Sequence, residues 1–338
     1  MGIIDVHAHM FPRGLVCPAS GGPWPRLEID DDTSGRLVIG DRLFRRVGAA
    51  LWDVGARLVE LDRLDIDLQV VSPVPVTLDV LADGKQAAAY LRSLNEGISA
   101  AVAEAPGRLL GLGAVPFQDM ALAGAELEHL MGDLGLAGVE IGAVIGGREL
   151  DDPALLPFFE AAASLGALVY VHPLGGGDGA IRRSGQPYDF GLGMLTDTAM
   201  AASALVFGGV LDACPELQVV MAHGCGTFPW AFPRLSSGTV LGGDFSSTEH
   251  EALIRRLWVD TLVFDAEHLG LLARRFGADH VLFGSDHPFI PGQLEGARDL
   301  VAAGIALGGL THHEATGVLG GNALTLLGLG AQPDSVRG

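Results

Sequence analysis

From residue 55 onward, hydrophobic positions fall into two alternating patterns. Short apolar runs rich in β-branched residues predict strands at 67–74, 108–117, 137–142, 167–173, 217–224, 257–264 and 280–286. Between them, longer Ala- and Leu-rich segments with a helical period predict helices near 55–66, 84–105, 119–134, 153–165, 193–213, 226–236 with 248–256, and 266–276, with a last helical stretch at 294–328. The opening run "IIDVHAHM" supplies one more strand. Eight strands, each followed by helix in one continuous series, predict an α/β fold, specifically a (β/α)8 TIM barrel. An open doubly wound sheet is the competing architecture, but no glycine-rich phosphate loop follows the first strand.

Residues 10–54 interrupt the alternation. They are rich in Pro, Gly and Asp, with a hairpin expected around "RLEIDDDTSGRLVIGD". The expected organisation is a single barrel domain over 1–338, with 10–54 as a small insertion after strand 1 at the catalytic end.

In such a barrel the chemistry sits at the C-terminal ends of the strands. Strand 1 ends in His7 and His9, strand 5 in His172, strand 6 in His223 and strand 8 in Asp286. Side chains repeat every two residues on a strand, so His7 and His9 share a face, with Val6 and Ala8 on the other. Imidazoles and a carboxylate are ligands suited to Zn2+ or another first-row divalent ion, with a position left open for water or substrate. Each histidine taken alone is more simply an incidental strand-end residue; together they predict a mononuclear metal site.

The motifs "DVHAHMFPRG", "YVHP", "AHGCG" and "GSDHPF", in that order and spacing, resemble the amidohydrolase superfamily, specifically its decarboxylating branch. The segment "GDRLFRRVGAALWDVGARLVELDRLDIDLQVVSPVP" resembles the semialdehyde decarboxylases of that branch. The resemblance implies His7, His9, His172 and Asp286 as metal ligands, usually for zinc, with Mn2+ or Co2+ tolerated and no organic cofactor. It places His223 beside the metal-activated water. It also implies that Arg45 and Arg234 hold substrate carboxylates, Arg234 reaching into the site of a neighbouring subunit, hence a homodimer.

The implied reaction is loss of CO2 from an unsaturated or aromatic carboxylic acid such as 2-amino-3-carboxymuconate 6-semialdehyde, with His223 and Asp286 as the catalytic groups. Two mechanisms remain open: water activated by His223, or substrate chelating the metal with Asp286 or His223 supplying the proton. A hydrolase or hydratase acting on a lactone, amide or enol acid is the alternative, because the same ligands activate water. The loop "LGGGDGAIRRSGQPYDFGLG" lacks the tryptophan that the resemblance leads one to expect there.

Composition narrows the partners. A hydrophobic fraction of 49% supports a full core, and 41 acidic against 21 basic residues give a net charge of −20. That charge disfavours nucleic acid and anionic membranes, so a small-molecule carboxylate gripped by local arginines is the expected partner. Cys17, Cys214 and Cys225 form no closely spaced pair, which fits a reducing, cytoplasmic setting. No signal-peptide pattern opens the chain. The apolar stretch at 199–211 is shorter than the roughly 20 residues of a membrane span and is expected to be a buried helix.

Overall fold

The computed structural model describes residues 2–18, 24–78, 83–243 and 247–330. Eight parallel strands follow one another around a barrel: β1 (Ile3–Met10), then, after three insertion strands, β5 (Ile66–Pro73), β6 (Leu109–Gly113), β7 (Gly138–Gly142), β8 (Leu168–His172), β9 (Gln218–Met221), β10 (Leu257–Asp260) and β11 (Val281–Leu282). Backbone bonds past the end of β11 bring the ring round to β1: Val6 N–H to Phe283 O at 2.9 Å, Asp286 N–H to His7 O at 2.8 Å, and His9 N–H to His287 O at 2.8 Å. The expected (β/α)8 barrel is therefore the fold.

The helices begin where the sequence offers caps. The Asp53 carboxylate accepts the Ala56 N–H at the start of α1 (Val54–Arg63), Asp83 accepts Lys85 and Gln86 N–H at α2 (Gly84–Glu104), and Asp119 accepts Ala121 and Leu122 N–H at α3 (Met120–Gly132). Next come α4 (Leu156–Leu165), α5 (Met194–Phe207), α6 (Val210–Ala213), α7 (Phe228–Leu241), α8 (Ser247–Ile254) and α9 (Ala266–Phe276). The expected helix at 193–213 is broken at Gly208–Gly209, and the stretch 294–328 divides into α10 (Ala297–Ala306), α11 (His312–Thr316) and α12 (Asn322–Leu326). A turn of π-helix at Asp189–Gly193 continues into α5, making a run as long and apolar as a membrane span; about half of it is buried, and Ala201, Ala202 and Leu205 lie in the main core.

Strict alternation does not hold in β1. Ile4 and Val6 join Val70, Leu112, Tyr170, Val220 and Leu282 in the interior cluster, whereas Ala8 packs with the layer facing the helices. The pairing of β1 with β5 shifts register between Asp5 and Ala8. That irregularity lets Val6 and His7 both contribute to the interior, which a regular two-residue repeat forbids.

Within the insertion, the expected hairpin is β2 (Pro25–Ile29) against β3 (Ser34–Ile39), and a further antiparallel strand, β4 (Arg42–Gly48), extends it. Its buried residues Leu37 and Val47 pack with Phe11, Trp52, Val74 and Phe289, so this small sheet lies over the C-terminal ends of β1 and β5.

Candidate metal centre

His7, His9, His172 and Asp286 converge at the C-terminal mouth of the barrel. One ligand atom from each lies within 4.8 Å of the others, and all four residues are buried. The histidine hydrogen bonds decide which nitrogen faces the cluster. His7 Nδ1 lies 2.7 Å from Asp260 Oδ2, His9 Nδ1 lies 2.9 Å from the Pro73 carbonyl, and His172 Nδ1 lies 2.7 Å from the Pro173 carbonyl. Carbonyls and carboxylates only accept, so each Nδ1 carries the proton and each Nε2 keeps its lone pair. All three Nε2 atoms are buried without a hydrogen-bond partner. Three orphaned lone pairs facing one carboxylate are a poor arrangement for a core and a suitable one for a divalent cation.

The electrostatics agree. Burial works to raise the Asp286 pKa, but the neighbouring histidines, His9 foremost and then His7 and His223, outweigh it and hold the carboxyl below its usual range. Its Oδ1 sits 3.1 Å from His9 Nε2. Burial, with His223 and His9 alongside, drives His172 well below the ordinary histidine value, so its ring is neutral. For His7 burial acts downward, and the bond to Asp260 more than reverses it.

His223 lies beside this cluster, outside the ligand group. Its ring is 4.9 Å from that of His172 and 5.4 Å from that of His7. Its Nδ1 is buried and unpartnered, and burial together with His7 lowers its pKa to about 4, leaving a neutral imidazole at pH 7. The backbone there is unusual: His223, Gly224, Cys225 and Gly226 have φ of 56°, 58°, 66° and 60°. A left-handed residue with a side chain costs about 1–2 kcal/mol. Glycine is required at two of the four positions: a Cβ on Gly224 would sit 2.4 Å from Val263 Cγ1, and one on Gly226 would sit 2.1 Å from Leu195 O.

The two arginines are placed very differently. Arg45, on β4, donates from Nη2 to the Phe289 carbonyl at 2.8 Å and lies 4.8 Å above the Phe289 ring, which is 5.6 Å from the His9 ring. Arg234 sits on the exposed side of α7, lining a separate depression with Phe207, Ala231, Leu235 and Thr239, and makes no ion pair among the described residues. Within one chain it is not brought to the cluster.

Residues 4–329 match the amidohydrolase family throughout. The chain belongs to the amidohydrolase family. Among relatives of this amidohydrolase, 2-amino-3-carboxymuconate-6-semialdehyde decarboxylase of Dictyostelium discoideum is 34% identical, covering 96% of this chain and 91% of that one. The apo crystal structure of Metarhizium anisopliae IDCase superposes with a TM-score of 0.81 at 22% identity over 98% of both chains. A dihydroxybenzoic acid decarboxylase from Polaromonas sp. JS666, solved with bound manganese and 2-nitroresorcinol, gives 0.74 at 22% identity, also over 98% of both.

Two neighbours of this amidohydrolase's site, Asp260 and Arg57, carry no sequence signal of their own. Asp260 closes β10 and is fully buried, accepting from His7, the Tyr170 hydroxyl at 2.8 Å, and the backbone of His223, Gly224 and Leu262. Fully buried Arg57 of α1 donates to the His9 carbonyl and to Gln69, and lies 3.2 Å from His287 Nδ1. His287 Nε2 turns away from the cluster to Glu60, 2.9 Å away. Glu140, on β7, has its Oε2 3.6 Å from His9 Nδ1; burial pushes its pKa up to about 8, and it lies outside the ligand group. His250 is buried with its ring 4.6 Å from that of Phe207. A cavity of about 620 Å³, lined by Phe190, Met194, Leu262, Phe264 and Trp230, opens against His223.

Proposed function

We propose that this amidohydrolase is a metal-dependent, non-oxidative decarboxylase of an unsaturated or aromatic carboxylic acid, with 2-amino-3-carboxymuconate 6-semialdehyde or a close analogue as substrate. The observation that carries the reading is the set of three buried, partnerless Nε2 atoms facing Asp286, with neutral His223 beside them. The Dictyostelium discoideum relative supports the choice of substrate.

In this reading His7, His9, His172 and Asp286 hold the ion, which we take to be zinc, with manganese or cobalt as acceptable substitutes. When bound, a divalent ion polarises a carboxylate and brings the pKa of water towards about 7. Arg45, one ring removed from His9, grips the carboxylate that stays, its planar fork matching two oxygens at once. His223 takes a proton from water and passes it to the conjugated carbon that bears the leaving carboxylate, with Asp286 as the alternative donor. The bond to that carboxylate then breaks, its electron pair restores the conjugated system, and CO2 and hydroxide are the co-products. The apolar cavity next to His223 gives the conjugated part of the substrate a water-poor surface.

Arg234 completes the grip from a second subunit in this reading. Its exposed position and the outward-facing Trp230 and Leu241 of the same helix favour a homodimer. Three free cysteines favour the cytoplasm. The test is an absorbance assay of metal-loaded protein on the semialdehyde. Decay of the chromophore with matching CO2 release supports the reading, whereas a product of water addition without CO2 replaces it with a hydratase or hydrolase.

A further inference from the structure

We propose that Asp260 is a positioning residue that ties metal retention to the placement of His223, so that one carboxylate sets the geometry of both. This rests on the reading of His7 as a ligand and His223 as the proton-transfer group.

The carboxylate is saturated with donors, and they come from both parts of the site. Oδ2 takes His7 Nδ1–H at 2.7 Å, the Tyr170 hydroxyl at 2.8 Å and the His223 backbone N–H at 3.0 Å. Oδ1 takes the backbone N–H of Gly224 at 2.9 Å and of Leu262 at 3.0 Å. One oxygen therefore fixes the tautomer of His7 and also anchors the residue on which the left-handed turn begins. His223 and Cys225 both carry a Cβ, which makes their positive φ costly. Two consecutive N–H groups converging on one buried carboxylate give that turn its hold. Tyr170, on β8, keeps the carboxylate from rotating, and its ring lies 5.2 Å from that of His7.

Asp260 touches none of the groups expected to contact substrate except through His7 and the His223 backbone. An imidazole ligand whose Nδ1–H partner is lost binds metal less tightly, by about 10–100-fold. A histidine whose backbone anchor is lost moves relative to the carbon it must protonate. The two effects separate experimentally, because the first is overcome by added metal and the second is not.

The experiment is Asp260→Asn, measured three ways: zinc affinity by chelator competition without substrate, thermal unfolding of the metal-free protein, and kcat with KM at saturating zinc. Gly224→Ala, which displaces the turn without touching His7, serves as comparison. Expected for Asp260→Asn is an affinity loss of about 10–100-fold, with kcat still depressed at saturating zinc and KM little changed. For Gly224→Ala the expectation is wild-type affinity with lowered kcat. Wild-type zinc affinity in Asp260→Asn would overturn the proposal, and so would full recovery of kcat at saturating zinc. The affinity arm needs no substrate, so it stands even if the decarboxylase reading fails. Should Asp260→Asn not fold, 15N NMR of the zinc-loaded wild-type protein carries the test. A proton on His7 Nδ1 and slowly exchanging His223 and Gly224 amides are expected; an unprotonated Nδ1 or fast exchange at those amides would overturn the proposal.

Discussion

The guanidinium carbon of Arg45 lies 4.8 Å from the centre of the Phe289 ring, and that ring stands 5.6 Å from His9. A side chain from the inserted sheet thus meets a loop from the end of the barrel next to the candidate metal centre. Because Arg45 is largely exposed, its removal should leave folding intact. Arg45→Ala is expected to raise KM by about 10–100-fold, the loss of a charge-assisted hydrogen bond worth about 1.5–3 kcal/mol, with the melting temperature unchanged. Arg45→Lys should recover part of that loss, since it keeps the charge but not the fork. Steady-state kinetics read both, and an unchanged KM in Arg45→Ala would remove this residue from the substrate site.

His223 stands beside His7, His9, His172 and Asp286, the four residues proposed to hold the ion, and outside that group. His223→Asn should therefore hold zinc as the wild type does while losing decarboxylation by about 10²–10⁴-fold. Metal analysis of the purified variant together with its kcat checks this, and wild-type turnover would eliminate the proton-transfer role.

Buried neutral histidines also make the metal-free protein sensitive to acid. The folded-state pKa of His223 is lowered to about 4 by burial and by His7, and that of His172 lies well below its ordinary value for the same main reason. Between that value and the unfolded histidine pKa of about 6.5, the unfolded chain binds the extra protons, so stability falls as pH falls through this window. Glu140 works in the opposite sense. With its folded pKa raised to about 8 by burial, its contribution is fully present below about 4.5 and is lost as pH rises towards 8. Thermal unfolding of chelator-treated protein should show a steeper acid-side decline in the wild type than in His223→Asn, with up to about 3 kcal/mol at stake. Identical pH dependence would contradict the assignment.

The proposed dimer has a sharp test in subunit mixing. Arg45 serves its own site in this reading, and Arg234 serves the partner's. Arg45→Ala and Arg234→Ala homodimers should each be impaired, and a randomised mixture should regain about a quarter of wild-type activity, because half the dimers then hold one intact site of two. No recovery on mixing would place Arg234 outside the partner's site.

Much of the centre was legible because metal ligands are residue types that seldom end an apolar run by chance. His7, His9, His172, His223 and Asp286 were marked by that contrast, and the resemblance to the amidohydrolases set His223 apart from the other four. Asp260 was hidden by the same logic: the run "LWVDTLVF" reads as one strand with an aspartate inside it, whereas the chain leaves the sheet at Asp260. Arg57 sits in an ordinary amphipathic helix, and only the approach of β1 explains its burial. The β4 segment "RLFRRVG" is mostly exposed and does not alternate, so its strand character comes from pairing with β3. The bend in β1 that brings Val6 and His7 to the same side depends on a register shift, a relation between two strands that neither sequence encodes alone.

The measurement that reaches the central claim most directly is release of labelled CO2 from the semialdehyde carrying 13C in the leaving carboxylate, before and after removal of the metal. One labelled CO2 per substrate consumed is expected, abolished by chelation and restored by zinc or manganese. Substrate consumed with the label retained in the product, or release that persists in the metal-free protein, would contradict it.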